Sequence, residues 1–180
     1  MVDEIPIPDA TREPAAYVTA LLATVGDRDP VEVYARTAEQ ARRLCTPLDD
    51  TGWFTPLGEG EWNAYQVVGH LFDVDVVYGF RIRLALTEDT PSYPGYNEKA
   101  FSLLARPAPA VLLDSFAALR AANLALFRSL AAEDWERRAI HGEQGSEDVR
   151  RMVSKVGGHD LAHLNQLERT VEAAVARTAG

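Results

Sequence analysis

Apolar residues recur every three to four positions along most of this chain, and they do so in four long stretches: residues 29–48, 63–86, 109–135 and 146–176. That spacing places them on one stripe of a helix. The stripes are Tyr34, Ala38, Ala41, Cys45 and Leu48; Val67, Leu71, Val74, Tyr78, Ile82 or Arg81, and Ala85; Leu112, Phe116, Leu119, Asn123, Leu126 and Leu130; and Val149, Met152 or Val153, Val156, His159, His163, Leu167, Thr170 or Val171, and Ala174. Period-two alternation, the mark of half-buried strands, is scarce. Four such stripes each need a partner face, so the expected fold is all-α: a four-helix bundle. A shorter helix over 15–25, ended by Gly26, precedes it.

Local signals agree with these limits. Asp29 followed by Pro30 reads as an N-cap and first helical position. Asn63 three residues before Gln66 reads as a capping-box variant. Ser146, with Glu147 and Asp148 behind it, is the expected N-cap of the last helix. Residues 87–107 form a long second-to-third connection with one short helix from Asn97, 136–145 read as a loop, and 1–14 as a surface arm. Residues 1–180 are expected to make one domain, with Val67, Leu71, Val74, Leu119, Leu126, Val156 and Leu167 in one core.

Composition removes several function classes. The formal net charge of −9 repels phosphate backbones and anionic lipid, so neither nucleic acid nor membrane is an expected partner. No apolar run is expected to reach membrane-spanning length. The start, "MVDEIPIPDA", lacks the basic and long apolar regions of a signal peptide, so the expected location is cytoplasmic. The lone cysteine, Cys45, excludes an intrachain disulfide and a cysteine-cluster metal site, and its place on an apolar stripe reads as packing.

Chemistry concentrates in the histidines. His159 and His163 stand four apart and project from one helix face, among apolar residues. His70 borders the core of another helix. A buried imidazole needs a partner for each ring nitrogen. Three of them from two helices meet that need by sharing a metal ion, with an open fourth position typical of catalytic sites. The competing reading is a set of core histidines bonded to carbonyls. Gly157 and Gly158 fit a place where something approaches the helix closely. Asp73, one turn from His70, is a candidate to orient a ligand ring or act as a base, or a surface carboxylate. Asp75 is expected in solvent. Asn123 is either a core amide or a substrate donor, Arg120 a carboxylate clamp or a solvent-facing arginine, and His141 a solvated loop residue or part of the site's mouth.

Three stretches carry a family resemblance: "WNAYQVVGHLFDVD", "RIRLALTEDTPSYPGYNE" and "GGHDLAHLNQL". Together, from about Asp29 to Gln166, the chain resembles the DinB/YfiT-like family of metal-dependent enzymes. The resemblance implies a four-helix bundle with zinc or nickel held by His70, His159 and His163. It also implies low-molecular-weight thiol chemistry, since relatives include bacillithiol S-transferases and a mycothiol-dependent isomerase; other members are called hydrolases. Similar sequences often carry "YDE" where this chain has Asn97, so a carboxylate is missing there. The implied enzyme is a thiol S-transferase, with a hydrolase or a non-catalytic binding bundle as alternatives. Its partner is a small-molecule substrate, and the reading leaves room for a homodimer.

Overall fold

A computed structural model describes residues 4–178. Its helices are α1 (Pro14–Val25), α2 (Pro30–Cys45), α3 (Ala64–Thr87), α4 (Glu98–Ser102), α5 (Pro109–Ser129) and α6 (Val149–Thr178), with short strands β1 (Ser92–Tyr93), β2 (Arg138–His141) and β3 (Gly145–Asp148). The bundle consists of α2, α3, α5 and α6, and α1 packs on α6. Starts follow the sequence signals. The Asp29 carboxylate accepts from the Val31 N–H at 2.8 Å, and Asn63 and Gln66 exchange hydrogen bonds in a full capping box. Asn97 caps α4 by accepting from the Ala100 N–H at 2.9 Å, a task an aspartate performs equally.

Pairings across helices fix their directions. Arg42 pairs with Asp114 and Arg128 with Glu32, so α2 and α5 are antiparallel. Asp75 meets Arg120 while Gly79 faces Asn123, so α3 and α5 run parallel. Joining parallel neighbours requires a crossover, and the long 88–108 connection provides it.

The core differs from the expected single cluster. One apolar cluster holds Val67, Leu71, Phe116 and Leu167, and another holds Val74, Phe127, Met152 and Val156. Between them, at mid-height on every bundle helix, lie buried polar residues: Thr37, His70, Asp75, Arg120, Asn123, His159 and Asp160. Leu126 is only partly buried and Leu119 belongs to neither cluster, because α5 turns Arg120 and Phe127 inward instead.

Three further expectations change. Residues 136–145 are not a plain loop: β2 and β3 pair as an antiparallel hairpin, and β1 joins β2 in parallel. Four-residue strands are too short for alternation to stand out in sequence. The hairpin takes Ser146 with it, so α6 begins at Val149, and the Asp148 carboxylate caps it by accepting from the Arg151 N–H at 2.8 Å. Finally, α5 is long and apolar enough to cross a membrane by length and composition. Here its inward face carries Arg120 and Asn123 and packs against α3 and α2.

The arm lies along α6. Ile5 donates its N–H to Asn165 at 3.0 Å and Glu4 pairs with Arg169 at 3.4 Å. Residues 1–3 of the expected arm fall outside the described residues.

The close approach expected at Gly157 and Gly158 is made by α1. A Cβ on Gly158 would stand 2.0 Å from the Leu21 carbonyl oxygen, which is backbone and cannot swing aside. Gly158→Ala should therefore destabilise the protein by about 1–3 kcal/mol, overriding the helix-propensity gain of about 1 kcal/mol. Urea unfolding of the two proteins checks this.

Candidate metal centre

His70 on α3 and His159 and His163 on α6 meet inside the bundle. Each offers one ring nitrogen, and the three lie within 4.8 Å of one another. The His70 and His159 Nε2 atoms are 2.8 Å apart. Ring centroids are separated by 4.2 Å for His159 and His163, 4.6 Å for His70 and His163, and 4.8 Å for His70 and His159. Trp62 packs on the cluster, its ring 4.9 Å from that of His70.

Burial, and in two cases the other imidazoles, hold these rings neutral. His70 lies well below the usual imidazole range through burial and then His163. His159 does so through burial, then His163 and His70. His163 is lowered to about 4 by burial, against the Gln166 hydrogen bond. A neutral imidazole keeps one N–H and one bare nitrogen, and the bare nitrogen is the atom that binds a divalent ion. The His159 Nδ1 is buried without a hydrogen-bond partner. His163 Nδ1 lies 2.7 Å from Gln166 Oε1, which only accepts, so Nδ1 carries the proton and Nε2 is left bare. The donor set thus fits a metal. Gln166 supports it through an i, i+3 spacing that was visible in "HLNQ" but not read.

The other expected site residues divide. Asp73 is drawn to Arg106 in the α4–α5 connection, and no hydrogen bond joins it to the three histidines. Arg106 also donates to the Phe101 carbonyl at 3.0 Å, so the pair fastens that connection to α3. Arg120 is neither solvent-facing nor open to a substrate. Its five N–H groups donate to Asp75, Asp160 and the Tyr34 carbonyl. Asp75, expected in solvent, is buried in this clasp, and burial pushes its carboxyl up to about 6 against the pull of Arg120. Asn123 donates to the Asp75 carbonyl at 3.1 Å and the Tyr34 hydroxyl at 3.3 Å and accepts from Arg83, which is the core-amide reading. His141 is buried at the end of β2, where its Nδ1 accepts from the Glu143 and Gln144 N–H groups, rather than solvated. It lines a cavity that also touches His159. Cys45 is buried, its thiol pushed up to about 12, consistent with packing.

Two open cavities reach His159 and His163. One, of about 360 Å³, runs beneath arm residues Glu4, Ile5 and Ile7 to Gln166. The other, of about 690 Å³, is rimmed by Pro8–Thr11 of the arm and by Gly95–Lys99. The crossover connection thus forms a lip, as its length suggested, and the arm forms the opposite one. Tyr17 on α1 lines both. Its role is not legible in the sequence, where α1 is a short extra helix ahead of the bundle.

Comparison with known proteins places this geometry. Residues 34–167 match the DinB superfamily. YfiT of Bacillus subtilis, whose name offers metal-dependent hydrolysis as a candidate activity, is 28% identical over 148 residues, covering 77% of this chain and 82% of its own. A Bacillus cereus protein named for the same activity is 32% identical over 130 residues, covering 68% and 73%. The solved structure of the Bacillus subtilis protein, described as an unusual four-helix bundle, superposes with a TM-score of 0.73 at 24% identity over 83% of this chain and 86% of that one.

Two outcomes follow for the site. Gln166→Leu should weaken binding of a divalent ion about 10- to 100-fold, read by competition with a chromogenic chelator. His163 is held near 4 when folded, against 6.5 ordinarily, so the unfolded chain binds more protons between those values. Metal-free protein should lose stability as pH falls from about 6.5 towards 4. His163→Gln should remove that part of the slope in urea unfolding at several pH values.

Proposed function

This chain belongs to the DinB superfamily, and from that premise we propose that it is a divalent-metal-dependent hydrolase of a small-molecule substrate. The observation that carries the reading is the set of three neutral imidazoles converging where two cavities open. His70, His159 and His163 would hold the ion, zinc or nickel by the chemistry of an all-imidazole set. A divalent ion there supplies Lewis acidity and favours an anionic nucleophile at neutral pH.

The chain's own residues do the rest. Gln166 keeps the His163 proton on Nδ1 and so keeps Nε2 available as a ligand atom. Trp62 shields the cluster on one side. The arm and the 95–99 lip enclose cavities of a size suited to a small ligand. Asp73 is committed to Arg106, so the proton acceptor is to be sought elsewhere on the cavity wall. Tyr17 and Glu98 stand there.

Thiol transfer, which the sequence resemblance implied, shares this site and differs in the nucleophile. The names of the relatives favour water over a thiol as that nucleophile. A panel of esters and amides and one common electrophile separate the two, assayed with metal-loaded, untagged protein in the presence and absence of bacillithiol, mycothiol and glutathione. Hydrolysis without thiol that is lost on chelation is the expected result. Turnover that requires a thiol would replace hydrolysis with transfer.

A further inference from the structure

Four cationic side chains are sequestered within the protein among the described residues: Arg81, Arg106, Arg120 and Lys155. Three of them have a carboxylate. Arg106 has Asp73, Arg120 has Asp75 and Asp160, and Lys155 has Glu147. Arg81 is only 4% exposed and has no carboxylate within ion-pair distance. Its Nη2 donates to the Pro94 carbonyl at 2.7 Å. Its guanidinium lies against three tyrosine rings, with centroids at 4.6 Å for Tyr93, 5.3 Å for Tyr78 and 5.8 Å for Tyr96. Removing a guanidinium from water with no carboxylate in contact is costly, and cation–π contacts return only about 0.5–2 kcal/mol each. With one hydrogen bond made to Pro94, its remaining N–H groups are left for an acceptor in the cavity it lines.

Two surroundings point the same way. Arg81 lines a cavity of about 60 Å³, enough for a few water molecules or one small anionic group. The Tyr96 hydroxyl, on the same cavity, is buried without a hydrogen-bond partner. Lys155 lies on the same wall, but its ammonium is already paired with Glu147 and donates to the Gln144 side chain at 2.6 Å. Glu98 and Glu143 also line this cavity. Neither reaches ion-pair distance of Arg81, though burial raises the Glu98 carboxyl and Arg81 draws it down through space, so a bound anion competes with that carboxylate. His159 lines it too, so the cavity connects Arg81 to the three-histidine cluster. Along α3, Arg81 follows His70 by three turns, about 16 Å between Cα atoms at 1.5 Å per residue.

We propose that Arg81, with the Tyr96 hydroxyl, is the anchor for a carboxylate carried by the substrate, whose reacting group then lies at the histidine cluster. The assignment of Arg81 stands on the cavity itself, while the word substrate rests on the hydrolase reading above. A planar carboxylate matches the guanidinium fork with two parallel hydrogen bonds, and the tyrosine hydroxyl adds a third donor. Substrates of this protein are accordingly small acids, not neutral esters or amides alone.

The test uses full-length, metal-free protein, so that a carboxylate has no metal to bind. Acetate and succinate are titrated by calorimetry and by following the Arg81 Nε–H resonance, with acetamide and inorganic phosphate as comparison ligands. Acetate and succinate should bind saturably and shift that resonance, while acetamide should not. Arg81→Met should weaken binding about tenfold or more, and Tyr96→Phe by a few fold. If Arg81→Met does not fold, Arg81→Lys, which keeps the charge but not the fork, should still weaken binding several fold. Absence of a saturable carboxylate response in the wild-type protein, equal binding by a folded Arg81 variant, or tighter binding of phosphate than of carboxylate overturns the assignment. Carboxylate binding alongside a failed hydrolysis assay would discard the reaction and keep the anchor.

Discussion

The arrangement depends on one arginine. Arg120 on α5 places every N–H it has on α3, α2 and α6, through Asp75, the Tyr34 carbonyl and Asp160. Thr37 on α2 completes the set by donating to Asp160 at 3.0 Å. Two carboxylates and a guanidinium are expensive to bury, and apolar residues of equal volume are often as stable. What ion pairs add is register, because each hydrogen bond is satisfied at only one relative height of the four helices. The Tyr34 ring, 3.9 Å from the guanidinium carbon, closes the other side.

That register is what brings the histidines together. Asp160 follows His159, and neighbours on a helix point about 100° apart. With Asp160 held towards α2 and α5, His159 is directed at α3, where His70 sits five residues before Asp75. The two apolar clusters above and below act through burial, which is non-directional. The polar layer between them acts through directional hydrogen bonds, and it is where both the clasp and the candidate metal centre lie.

The sequence made the helices and the three histidines legible because both announce themselves by spacing: apolar stripes at three to four residues, and His159 and His163 on one face. It hid the clasp. Asp75 reads as a solvent-facing charge and Arg120 as a substrate clamp or a solvent-facing arginine, since a buried ion pair leaves no periodic mark and its members sit 45 residues apart. Arg120 even lies one position off the apolar stripe assigned to α5, which is why Leu119 and not Arg120 was expected in the core. The β2–β3 hairpin was missed because its alternation lasts only four residues per strand. The role of α1 was also obscure. That Gly158 yields to the Leu21 backbone, and that Tyr17 reaches the cavities, are facts of tertiary packing.

The central claim is that three imidazoles from α3 and α6 hold one divalent ion. X-ray absorption at the metal edge of untagged, zinc-loaded protein tests it most directly. The account predicts one ion per chain and a first shell with three imidazole nitrogens at about 2.0–2.1 Å. A shell of carboxylate and water oxygens, or a spectrum unchanged in His70→Ala, would contradict it.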